Sequence, residues 1–156
     1  MTVVQLELAL SLRRDGRSVL VARHVVRAAM DAIGVTEGCT HDLEVALSEA
    51  CTNVIQHADP AGEYQVRLQL AEQRCLLRVT EASGGLVGEF GQQPPDTVPA
   101  GDAEHGRGLV LMRALVDRVG FRLLPGVGAV VWLEKRLTYA ADSAELTGGT
   151  PPAAGR

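Results

Sequence analysis

"SEACTNVIQHA", residues 48–58, sets a glutamate, an asparagine and a histidine four residues apart within an otherwise apolar run. Wound as a helix at about 100° per residue, Leu43, Ala46, Leu47, Ala50, Val54 and Ala58 form one buried arc. Glu49, Asn53 and His57 make an inclined stripe along one flank of that arc, drifting toward it at the His57 end. Glu44, Ser48 and Thr52 fall on the opposite side, toward water. By spacing alone such a stripe is either a solvated helix edge or the wall of a pocket, where a desolvated carboxylate or amide gains electrostatic leverage. His57 also suits a helix C-terminus, as a cation set against the macrodipole. The helix is expected over about residues 42–57, closed by the turn chemistry of "ADPAG".

Upstream, "VVQLELAL" alternates Val4, Leu6, Leu8 and Leu10 with Gln5 and Glu7, the period of a half-buried strand. "RRDGRS" supplies a turn. Between residues 18 and 33 the positions Val19, Ala22, Val26, Ala29, Met30 and Ile33 recur at helical spacing, with Gly34 as a stop, and "VTEGCTHD" breaks the pattern. Downstream, "EYQVRLQLA" and "RCLLRVTE" read as an antiparallel hairpin turning near Glu72 and Gln73. Residues 82–106 are rich in Gly, Pro, Asp and Gln without a sustained period, the composition of a binding loop or lid. A short helix from residue 108 to about 119 follows, then strands "GFRLLP" and "AVVWLEKRL" turned at "GVG".

Runs of strands rather than strict βα alternation predict an α+β fold. The expected form is a two-layer sandwich: a mixed, mainly antiparallel sheet covered on one face by helices. One domain is expected over residues 1–137. Residues 138–156, small, polar and Pro/Gly-rich from 141 onward, are expected to be a disordered tail.

Composition excludes several functions. A chain of 156 residues with 46% apolar and 22% charged content is that of one soluble globular domain. The net charge of −4, with arginines scattered rather than striped, argues against direct nucleic-acid binding. Cys39, Cys51 and Cys75 are odd in number and lack CxxC pairing, so buried free thiols are expected rather than a metal or redox site. No signal-peptide pattern opens the sequence, and no apolar run approaches the roughly 18 residues of a membrane span. A cytoplasmic protein without membrane contact is the expectation.

"EHGRGLVLMRALVDRV" changes the weight of the opening stretch. Gly106 and Gly108 flank Arg107 at the entry to an amphipathic helix. Glycines there let the backbone approach a ligand, and a helix N-terminus offers N–H groups to phosphate. By itself a G-x-G is equally a helix-entry loop. Together with the E-x-x-x-N-x-x-x-H spacing of "ALSEACTNVIQHA" and with "VLVARHVVRAAM", it resembles the GHKL ATPase superfamily. Within that superfamily it is similar to the anti-sigma-factor serine/threonine kinases of the RsbW and SpoIIAB type, over roughly residues 4–137.

The resemblance implies an ATP/ADP and Mg²⁺ site, with Asn53 as the magnesium ligand and Glu49 as the general base. It implies that Arg23 reaches the terminal phosphate, that the backbone of Gly106, Arg107 and Gly108 closes over the phosphates, and that His57 shapes the pocket edge. It also implies partner switching with a sigma factor and/or a STAS-domain anti-anti-sigma protein, and a homodimer; "VVQLELAL" is a sheet edge in need of cover. The chain departs from the family around adenine. Where the family carries D-x-G-x-G, with the aspartate accepting the adenine amino group, this chain has Glu81, Ala82, Ser83, Gly84 and Gly85. Where the family carries G-T, it has Gly128 and Ala129. These changes imply weakened adenine recognition. They leave two functions open: a kinase, or a non-catalytic partner-binding module with a degenerate nucleotide pocket.

Overall fold

A computed structural model gives the arrangement of residues 4–57, 62–81, 106–124 and 128–140. Strand β1 (Val4–Arg13) carries the expected alternation past Leu10, and Leu6, Leu8, Leu10 and Leu12 all pack against the core. Asp15 caps helix α1 (Gly16–Ile33) by accepting a hydrogen bond from the Ser18 amide at 2.8 Å. Gly34 ends that helix in the left-handed region at φ 81°, which a residue without Cβ adopts at no steric cost. Helix α2 (Glu37–His57) leads into strands β2 (Glu63–Ala71) and β3 (Arg74–Glu81), joined by a tight turn with Glu72 at φ 54°. Helix α3 (Gly106–Leu115) and strands β4 (Arg118–Leu124) and β5 (Gly128–Arg136) complete the fold.

The sheet order is β1-β2-β3-β5-β4, and every neighbouring pair among the described residues is antiparallel. The α+β sandwich is as expected. Tyr64, Val66, Leu68 and Leu70 of β2 and Cys75, Leu77 and Val79 of β3 alternate onto one face, each 1% exposed or less. Helices α1 and α2 cover that face, meeting it with Ala22, Val26 and Met30 and with Leu43, Leu47, Ala50 and Val54. Cys39, Cys51 and Cys75 are buried free thiols, as expected. Among the described residues no helix is long and apolar enough to cross a membrane.

Three boundaries differ from the sequence expectation. Helix α2 begins at Glu37 rather than near residue 42, because Cys39 and Thr40 bury against the sheet and carry the helix across Gly38. Helix α3 starts two residues early and stops at Leu115, since Arg118 and Val119 pair with Glu134 and Leu133 in the sheet. Residues 138–140, placed in the tail, belong to the fold: the Thr36 amide donates to the Thr138 carbonyl at 2.9 Å and the Ala140 amide to the Gly34 carbonyl at 2.8 Å. Residues 82–105 and 141–156 lie outside the described residues.

Candidate functional site

Helix α2 crosses the sheet from one end to the other. Near its start the Cys39 thiol donates to the carbonyl of Arg136, at the end of β5. Farther along, Cys51 lies within hydrogen-bonding reach of Tyr64, whose hydroxyl shares a 2.6 Å hydrogen bond with Ser18. Burial pushes the Cys51 thiol up to about 12, which makes it packing rather than a nucleophile. Residues 49–57 therefore arrive where β2 begins, β3 ends at Glu81 and β5 begins at Gly128.

At that end Glu49 and Asn53, one turn apart, are met by the first turn of α3. The helix expected from residue 108 begins two residues earlier, so Gly106, Arg107 and Gly108 are the first three residues of α3. Met112 and Val116 anchor that helix in the core and Arg107 stays exposed. Gly108 lies directly on the two polar side chains. A Cβ built on it would stand 3.1 Å from Glu49 Oε2, 3.5 Å from Asn53 Oδ1 and 3.6 Å from Asn53 Nδ2. Any larger residue would press on the Glu49 carboxylate.

Asn53 is 5% exposed, and its Nδ2 finds no hydrogen-bond partner among the described residues. A buried amide left in that state costs about 1–3 kcal/mol, and a bound polar ligand is one way of recovering it. Glu49 is half-buried and takes part in no ion pair among the described residues. This donor set fits a nucleotide with magnesium. No group of three or more His, Cys, Asp or Glu side chains among the described residues could hold a metal unaided. Magnesium accepts one neutral oxygen such as that of Asn53 alongside phosphate and water.

The opposite flank of α2 differs from the sequence expectation. Glu44 does not face water: it is 5% exposed, because α1 packs over that side and delivers Arg27. The Arg27 guanidinium donates from Nε to Glu44 Oε1 at 2.7 Å and from Nη2 to Oε2 at 3.0 Å, while also gripping the exposed Glu37. These bonds hold the Glu44 carboxyl below its ordinary range. Arg23, one turn before Arg27, is half-buried and contributes to the same field at Glu44. No bond joins it to Glu49 among the described residues.

Glu81 is not an isolated acceptor. Its carboxylate is bound by the guanidinium of Arg14 in an ion pair with both side chains nearly sealed from water. Sequence reasoning passed over Arg14, although the signal was present: extending the β1 alternation beyond Leu12 puts residue 14 on the core side, where a cation needs an acid. Ala129, 0% exposed, lies on the helix-facing side of β5. His57 and Gly128 are the last residue of α2 and the first of β5. Ser83, Gly84 and Gly85 lie outside the described residues.

Residues 12–135 match the family described as the histidine kinase-like ATPase domain. The chain is 34% identical over 117 residues to the serine-protein kinase RsbW of Bacillus subtilis, covering 66% of this chain and 72% of that protein. It is 35% identical over 117 residues to the protein of that name in Bacillus velezensis, with the same coverage. Among solved structures, that of the RsbU and RsbW domains of a Mycobacterium tuberculosis protein matches with a TM-score of 0.65 at 20% identity, a likeness of fold. That match covers 88% of this chain and 34% of the solved chain.

Proposed function

The chain belongs to the histidine kinase-like ATPase family, in its RsbW-type serine-protein kinase branch, and from that premise we propose that it is a cytoplasmic, ATP- and Mg²⁺-dependent protein serine/threonine kinase that works as an anti-sigma-factor-like regulator. Its substrate is a STAS-domain anti-anti-sigma protein, and phosphorylation of that protein switches which partner the kinase holds. The observation that supports this best is Gly108 seated on Glu49 and the orphaned amide of Asn53.

Each residue then has a task suited to its chemistry. Asn53 offers a hard, neutral oxygen to the metal. Glu49, one helical turn away, accepts the proton of the attacking serine or threonine hydroxyl. The backbone N–H groups of Gly106, Arg107 and Gly108, in the first turn of α3, face phosphate. From α1, Arg23 supplies a guanidinium fork suited to the terminal phosphate, and His57 borders the pocket. Asn53 would hold magnesium beside the phosphates, where the ion would supply positive charge to offset that of the transferred group. A homodimer is part of the same reading, since β1 is an edge strand whose outer backbone groups a second copy could cover.

The Arg14–Glu81 ion pair favours a second reading, a partner-binding module without turnover, because it occupies the carboxylate assigned to adenine. One experiment separates the two. The protein is incubated with a candidate STAS protein, a sigma factor and γ-labelled ATP. Label on a STAS serine or threonine, with exchange of the bound partner, is the kinase result. Stable capture of a partner with no label at any ATP concentration is the result of the module.

A further inference from the structure

The Arg14–Glu81 pair is built into the fold rather than draped on its surface. The two side chains are 2% and 9% exposed. Leu6, Leu8, Leu10 and Leu12 face the core, and Arg14 follows them in the alternation. Glu81 pairs in register with the buried Tyr64, so it faces the same way. Room for the guanidinium comes from Gly62, where a Cβ would stand 3.1 Å from both Cζ and Nη2 of Arg14. Thr80 pairs with Val130, which makes Glu81 and Ala129 the next positions on adjoining strands, at the sheet end where α2 brings Asn53.

We infer that Arg14 is a specificity-determining residue: by holding Glu81 it removes the preference of the base pocket for an amino-purine, so amino- and keto-purine triphosphates bind alike. This rests on the nucleotide site proposed above. A lone carboxylate only accepts hydrogen bonds, so it attracts the exocyclic amino group of adenine and repels the carbonyl oxygen of hypoxanthine. Paired with a guanidinium, the same carboxylate has one oxygen committed and its charge balanced. It then attracts the amino group less and repels the carbonyl less. The longer reach of glutamate and the guanidinium opposite it act as one unit, and shortening Glu81 to aspartate alone would strand Arg14.

The test is calorimetric titration of the full chain with Mg²⁺ and either ATP or inosine triphosphate. The parent protein should bind the two within about threefold of each other. Arg14→Met, which releases the carboxylate, should shift the ratio toward ATP by about tenfold, the effect of one hydrogen bond. Arg14→Lys keeps a cation against Glu81 and should stay near the parent ratio. A merely structural Arg14 would weaken both ligands together and leave the ratio unmoved, which overturns the inference. Should Arg14→Met not fold, the parent ratio decides: a preference for ATP of about a hundredfold, well over 2 kcal/mol, also overturns it. Asn53→Ala separates the two levels. ATP-selective binding that depends on Asn53 defeats the role of Arg14 and leaves the nucleotide site standing, whereas no binding of either triphosphate by the parent defeats both.

Discussion

Glu44 and Glu49 lie on the same helix, five positions apart, in surroundings that differ in kind. Around Glu44, a neighbouring helix delivers a guanidinium that satisfies both carboxylate oxygens. Around Glu49, the neighbouring helix sets a glycine close against the carboxylate, beside a buried amide that has no partner among the described residues. Desolvating a carboxylate is costly unless it is paired, and Glu44 is paired. Glu49 keeps part of its surface and its hydrogen-bonding capacity for something that arrives. A glutamate on α2 is thus structural or chemical according to what the facing helix places against it.

The largest effect should come from the Glu49 end. Glu49→Gln keeps size and hydrogen bonding but removes the base, so phosphate transfer should fall by about 10²–10⁴ while partner binding stays nearly unchanged. Undiminished transfer by that variant excludes Glu49 as the base.

At the Glu44 end the expected loss is of stability. Arg27→Leu strands a buried carboxylate; since Arg27 is itself 31% exposed, water screens part of the loss. A lower urea midpoint is expected, and adding Glu44→Gln should recover some of the loss. An unchanged unfolding midpoint for the single variant would show that the pair contributes nothing.

Gly108→Ala should split the two properties. Alanine is up to about 1 kcal/mol better than glycine in a helix, so stability should hold or rise slightly. Its Cβ, 3.1 Å from Glu49 Oε2, should displace the carboxylate and weaken Mg·ATP binding by about tenfold. Loss of stability with full affinity would place Gly108 among packing residues.

The smallest effect is a pH dependence. Arg27 lowers the folded-state value of Glu44 from its ordinary 4.5. A depressed carboxylate contributes stability above its unfolded value and loses that contribution as pH falls through the folded value. Urea midpoints should therefore drop on acidification below about pH 4.5, and less so in the Arg27→Leu/Glu44→Gln double variant. Equal acid sensitivity in both proteins would assign the drop elsewhere.

Much of the architecture was legible because strand and helix periods are local. The alternation of β2 and β3 and the apolar arc of α2 from Leu43 to Val54 survive in the structure, while Ala58 lies outside the described residues. What was misread depends on partners far away in sequence. Glu44 looks solvated on a lone helical wheel, and only α1 reveals the Arg27 that permits its burial. Val119 suits a helix or a strand equally, and pairing with Leu133 decides the matter. Asn53 and Gly108 were each named from motifs, yet their contact across α2 and α3 belongs to tertiary structure. Arg14 was readable in principle by parity along β1, but its acid lies 67 residues away.

The central claim is that the first turn of α3 and the flank of α2 enclose a Mg·ATP site. Titration of ATP with and without Mg²⁺, on the parent chain and on Asn53→Ala, tests it most directly. Binding strengthened by Mg²⁺ in the parent, with that gain lost in Asn53→Ala by about tenfold or more, is the expected result. ATP affinity indifferent both to Mg²⁺ and to the loss of Asn53, or no affinity at all, would contradict it.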